Sequence, residues 1–170
     1  MFRSTKTLGT DRGLSCCFRQ WAADSHCHLV HGYSLGFRFT FAGEQLDHRN
    51  WIVDFGPGGF GEIKKWLEYM FDHTLLIAEN DPHRKELENL GALGLADVRI
   101  VPGAGCELTS KFVWEKAEEV ISAATQGRCW VESVEVLEHG SNSAIYSHPE
   151  ALTKALAYEQ LIREGAPIVN

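Results

Sequence analysis

Three histidines and a cysteine fall within six positions, His26, Cys27, His28 and His31, inside the stretch WAADSHCHLVHGYSLGFRFTF that runs from Trp21 to Phe41. Imidazole is the commonest protein metal ligand, and its charge changes near neutral pH. A thiol beside imidazoles or a metal is driven toward the reactive thiolate. In His31-Gly32-Tyr33 the two outer side chains sit two residues apart and share one face of a strand, with a glycine between them that lets a ligand or metal come close. A phenol is a less common ligand, because it must first lose a proton with a pKa of about 10. Without a ligand, the same residues read as a strand histidine packed beside a tyrosine, and Cys27 as a small buried hydrophobe.

Two more places could carry chemistry. Asp72-His73 closes an amphipathic segment; an acid beside a histidine can orient and charge the ring for proton transfer, and the same pair can simply cap a helix. Glu138 ends a strand on the face shared by Val134 and Val136, where a carboxylate is costly unless something pairs with it. Asp54-Phe55-Gly56 reads as structural. The remaining cysteines, Cys16, Cys17, Cys106 and Cys129, lie in apolar contexts and read as buried free thiols; the total of five, without paired spacing, is no disulfide framework.

These residues need elements to position them. A length of 170 residues, 44% hydrophobic and 23% charged, predicts a single domain spanning the whole chain, 1–170. A net charge of −7 argues against a broad nucleic-acid-binding face, and no apolar run approaches a membrane span or leader, so a cytoplasmic protein without membrane or nucleic-acid partners is expected. Residues 1–13 read as a loosely held arm. Strands are predicted over 14–23 and 33–42, paired as a hairpin. The second carries the alternation Leu35, Phe37, Phe39, Phe41. Trp51 to Val53 reads as a further strand. A helix over 60–71 follows from Ile63, Trp66, Leu67 and Met70 on one stripe. A short helical turn after Asp81-Pro82, an extended 98–101, a helix over 107–125, strands over 130–138 and 143–147, and a terminal helix over 149–164 complete an α+β domain with an antiparallel sheet and helices on one face.

Taken in order, Ala22-Ala23-Asp24, Cys27-His28-Leu29-Val30-His31-Gly32-Tyr33, Val53-Asp54-Phe55-Gly56, Phe71-Asp72-His73-Thr74-Leu75-Leu76, Glu107 at a helix mouth, and Val134 to Gly140 followed by Ser143-Ala144-Ile145-Tyr146 resemble the 6-pyruvoyl-tetrahydropterin synthase / 6-carboxytetrahydropterin synthase family. The resemblance implies the tunnelling fold, a homo-oligomer of hexamer-type rings with sites between subunits, and a divalent metal, zinc, held by three histidines. It implies Cys27, Asp72 and His73 as proton-transfer residues, and Glu138 with Glu107 on the pterin side. His31 matches one metal histidine. Asp24 and Tyr33 stand where the first and third are expected, with His26 an alternative for the first. The implied substrate is 7,8-dihydroneopterin triphosphate. The short cysteine-to-His-Gly spacing resembles the queuosine-pathway enzymes that form 6-carboxytetrahydropterin and release triphosphate and acetaldehyde. The 6-pyruvoyl product, a diverged homologue that binds a pterin or purine-like ring, and an oligomeric scaffold are the alternatives.

Overall fold

The computed structural model describes residues 1–150. Two four-stranded sheets and three helices build an α+β domain. The first sheet is antiparallel, in the order β1 (Phe2–Leu8), β4 (Gly36–Gly43), β7 (Cys129–His139), β8 (Asn142–Ser147). The second has the order β3 (His31–Ser34), β2 (Ser15–Phe18), β5 (Thr74–Ala78), β6 (Asp97–Val101), with β2–β5 and β5–β6 parallel.

The aromatic alternation behaves as expected. Phe37, Phe39 and Phe41 of β4 are fully buried, and Phe60 and Phe71 from α1 (Phe60–Phe71) meet Phe39 and Phe37 with ring centroids 5.1 Å apart. α1 keeps its predicted bounds. Ile63, Leu67 and Met70 face inward, while Lys64 and Glu68 pair on the outside at 3.6 Å. Its first N–H groups have no side-chain cap; the carbonyls of Asp54 and Gly56 satisfy them instead. α3 (Cys106–Thr125) buries Val113, Ala117 and Ile121, one per turn, and is fixed to β7 through Trp114 Nε1–H on the Val131 carbonyl at 2.8 Å. α2 (Arg84–Ala92) carries the chain from β5 to β6, longer than the expected turn.

Four expectations change. The arm over 1–13 is instead β1, bonded residue by residue to β4 from Phe2↔Gly43 to Leu8↔Phe37. Of its positions paired with Phe37, Phe39 and Phe41, Ser4 and Lys6 are as polar as the outward residues and only Leu8 is apolar, so it carries little of the alternating signal that marks a half-buried strand. The single strand over 33–42 is two strands divided at Leu35, and only β3 pairs with β2, so one expected sheet becomes two. Trp51 to Val53 is a bend rather than a strand, although Ile52 and Val53 are buried as a strand's inner residues would be. β5 was not expected: all five of its residues are buried, which removes the alternation. The terminal helix over 149–164 lies outside the described residues beyond Glu150.

Candidate active site

Ser25 starts a single helical turn, His26–His28, and its hydroxyl accepts the Cys27 N–H at 3.3 Å. The Gln20 N–H on the Cys27 carbonyl, 3.0 Å, ties that turn to the end of β2. Cys27 is half-buried, while His26 and His28 are exposed. The chain then enters β3, where Gly32 lies so close to β2 that a Cβ there would meet the Cys16 carbonyl at 2.9 Å. The missing side chain therefore makes room for a neighbouring strand, not for a ligand.

Tyr33 is the centre of the cluster. Its ring lies 5.5 Å edge-on to His31, 6.1 Å from Phe18 and 6.0 Å from His139. Partial burial raises its pKa, and Glu138, Cys27 and Cys106 add electrostatically in the same direction. Cys27 and Tyr33, from the first quarter of the chain, and Glu138, near the end of β7, thus lie within electrostatic reach of one another. The His31 Nδ1 faces the Leu29 carbonyl at 2.7 Å. A carbonyl only accepts, so Nδ1 carries the proton and Nε2 is left as an acceptor.

Glu138 sits at an irregularity of β7. Leu137 pairs with Ser143 and His139 with Asn142, so β7 spends two residues where β8 spends one. That is a β-bulge, which re-aims side chains at a strand end. The half-buried Glu138 carboxylate meets the thiol of Cys106, the first residue of α3. Burial first, then the charge and hydrogen bond of Glu138, push the Cys106 thiol up to about 12. Cys106 is brought there by Gly105, whose φ of 102° favours glycine and whose missing Cβ leaves space for the Gln20 amide. Cys106, Phe18 and His139 were not expected here. A buried cysteine gives no sequence signal of its neighbour, but His139 carried one, a polar ring directly after the strand-end glutamate. Glu107 lies exposed in the first turn of α3, one residue past Cys106.

The metal set is not assembled. A catalytic zinc takes three protein ligands. Among the described residues no three His, Cys, Asp or Glu side chains are arranged to hold a metal ion. His31 and Tyr33 are adjacent, whereas Asp24 and His26 are exposed on the preceding connection and share no hydrogen bond or ring contact with them among the described residues. The residues present therefore do not fit a three-histidine zinc.

Asp72 and His73 form a pair of their own. Asp72 ends α1, and His73 turns the chain into β5 with a φ of 56°, its N–H on the Ser15 carbonyl at 2.7 Å. The His73 Nδ1 lies 2.5 Å from Asp72 Oδ1, and the ring is 86% exposed, which leaves Nε2 open to an outside group. No hydrogen bond, ion pair or ring contact among the described residues joins this pair to Cys27, Tyr33 or Glu138.

Two sheets and three helices in this order are the α+β architecture of the tunnelling fold, which pterin synthases of known structure share. The sequence profile described as PTPS, 6-pyruvoyl tetrahydropterin synthase, matches residues 7–149, and the chain belongs to that family. The chain is 28% identical over 90 residues to the 6-carboxy-5,6,7,8-tetrahydropterin synthase of Rickettsia typhi, a match covering 52% of this chain and 62% of that protein. It is 25% identical over 91 residues to the protein of that name from Rickettsia felis. This chain thus spans about three fifths (62%) of the length of these curated relatives. Among solved structures, an uncharacterised protein of Wolinella succinogenes superposes with a TM-score of 0.66 at 16% identity, covering 86% of this chain and 98% of that one. The 6-pyruvoyl tetrahydropterin synthase of Plasmodium falciparum superposes at 0.60 and 13%, with the same coverage, 86% and 98%. Among the described residues no helix is long and apolar enough to cross a membrane.

Proposed function

We propose that the protein is a pterin lyase that converts 7,8-dihydroneopterin triphosphate and one water to 6-carboxytetrahydropterin, releasing triphosphate and acetaldehyde, on the route to queuosine. The observation that carries this reading is the packing of Tyr33 between His31 and His139 at the end of β7, where Glu138 and Cys27 act on its phenol electrostatically. The hydrogen-bond neighbour of Glu138 is a thiol rather than a lysine or arginine, so its carboxylate keeps acceptor capacity. A pterin ring presents an amino group and a ring N–H side by side, which one carboxylate accepts together. A ring held there brings its side chain toward Cys27, a half-buried thiol able to move a proton to or from carbon. Asp72 holds the His73 ring with Nε2 outward, ready to exchange a proton with a group supplied from outside its own chain. This reading assembles the protein as a homo-oligomer in which that pair faces the Cys27 cluster of another copy.

A second reading is favoured by the unassembled metal set: a diverged homologue that binds the ring without turning it over. One experiment separates the two. Purified protein, with its metal content measured, is incubated with 7,8-dihydroneopterin triphosphate, and products and ring binding are followed together. The lyase reading expects 6-carboxytetrahydropterin, a turnover loss of about a hundredfold or more in Cys27→Ala with binding retained, and binding weakened at least about tenfold in Glu138→Gln. Binding without turnover selects the second reading, a 6-pyruvoyl product assigns the other family activity, and no binding at all removes both.

A further inference from the structure

His139 follows Glu138 in the chain, and its ring packs on Tyr33, the phenol on which Glu138 acts electrostatically. Regular alternation would send residues 138 and 139 to opposite faces of β7. The bulge between Leu137 and His139 removes that constraint, and the His139 ring comes to lie 6.0 Å from Tyr33 at 54°. Its tautomer is set by the turn that follows. The Ser141 N–H donates to His139 Nδ1 at 3.2 Å, so Nδ1 is the acceptor and the neutral ring carries its proton on Nε2. His31, on the other side of Tyr33, is held in the opposite sense. The His139 ring is exposed, and its Nε2–H is open to an incoming group.

We infer that His139 is a specificity residue of the ring site, whose Nε2–H beside the Glu138 carboxylate reads a carbonyl oxygen on the bound ring. The inference rests on the reading of Glu138 as the ring anchor. Two carboxylate oxygens followed by one imidazole N–H make the order acceptor, acceptor, donor. The edge that complements it is amino N–H, ring N–H, carbonyl oxygen, the edge of a 2-amino-4-oxo-pyrimidine. A 2,4-diamino ring sets a bare N3 against Glu138 and an amino donor against the His139 donor, and the second mismatch is the share of the discrimination that His139 supplies.

The test measures binding of neopterin and of a 2,4-diaminopteridine with the same side chain to the full chain, by fluorescence titration. The ratio of the two affinities is compared among wild type, His139→Phe, which keeps an aromatic ring against Tyr33, and His139→Gln, which keeps an N–H donor. The expected result is a preference for the 4-oxo ring that falls about tenfold in His139→Phe and is largely retained in His139→Gln, the size of one hydrogen bond lost. An unchanged ratio in His139→Phe overturns the inference. If Glu138→Gln meanwhile abolishes binding of both rings, the ring site stands without His139. If wild type binds neither ring, both the ring site and the inference fall.

Discussion

At the scale of single residues, the site is defined by how differently its thiols are placed. Burial pushes the thiols of Cys16 and Cys106 up to about 12 and that of Cys129 to about 11. Thiolate is the species that alkylates, so all three are protonated and slow to react at neutral pH. Cys27 is half-buried on an exposed turn. Brief iodoacetamide treatment of the native protein at pH 7.5, read by peptide mass, is expected to modify Cys27 well before Cys16, Cys106 and Cys129, which become modified only after unfolding. Native labelling of Cys106 as fast as Cys27 would show that the α3 start is open and that Glu138 is not shielded by it. The same three thiols make folding sensitive to alkali. Their native pKa values lie above the unfolded value of about 8.5, so the stability they carry is intact below that pH and is lost as pH rises toward 11 and 12.

At the scale of elements, turns and caps hold the site's supports. Asp47 accepts the N–H groups of Arg49 and Trp51 at 2.8 and 2.9 Å, and the Trp51 bond first, then the Arg49 guanidinium and N–H, hold its carboxyl at about 2. A depressed native pKa gives stability that is present above the unfolded value of about 3.9 and is lost as pH falls toward 2. Asp47→Ala is therefore expected to lower Tm at pH 7, with the gap to wild type closing between pH 4 and 2. A gap that does not change with pH would mean the charge is irrelevant to the loop. The end of α3 offers the opposite effect. Gln126 is left-handed, with φ 54°, a conformation that is strained for a side chain and free for glycine. Gln126→Gly is expected to stabilise by about 0.5–1 kcal/mol in urea unfolding, because relief of that strain exceeds the added chain entropy. A loss of stability would show that the Gln126 side chain contributes contacts of its own.

At the scale of the whole molecule, the second sheet carries Cys27's turn, and one ion pair fixes it to the segment beyond. Arg19, just past β2, meets Asp81, just past β5, at 2.8 Å, with the aspartate side chain only 1% exposed. Removing one partner strands a buried charge, so Arg19→Ala is expected to cost about 3 kcal/mol in urea unfolding. A cost below about 1 kcal/mol would mean that the Asp81 bond to the His83 N–H alone suffices. The pair also accounts for Arg19: it is engaged inside the fold and is not a free cation for a triphosphate.

Much of this was legible in the sequence, for a physical reason. The α1 stripe, the β4 phenylalanines and the long α3 each repeat a local period that only one backbone geometry can bury, so their type, and for the two helices nearly their bounds, follows from side chains alone. The order of Cys27, Asp72-His73 and Glu138 likewise identified the family before any contact was known. Where polarity does not alternate, as in β1 with polar Ser4 and Lys6 on its inward face and in β5 with every residue buried, the strand is decided by its neighbours across the sheet. The division of 33–42 at Leu35 is a question of which strands each half pairs with, and a local period does not record that. The same holds for the site. Residue types named Glu138 and Cys27, but their meeting at Tyr33, the thiol of Cys106 against the carboxylate and the turn of His139 to the same face depend on a bulge and a helix start. Those are properties of packing between segments far apart in the chain, and only the tertiary structure decides them.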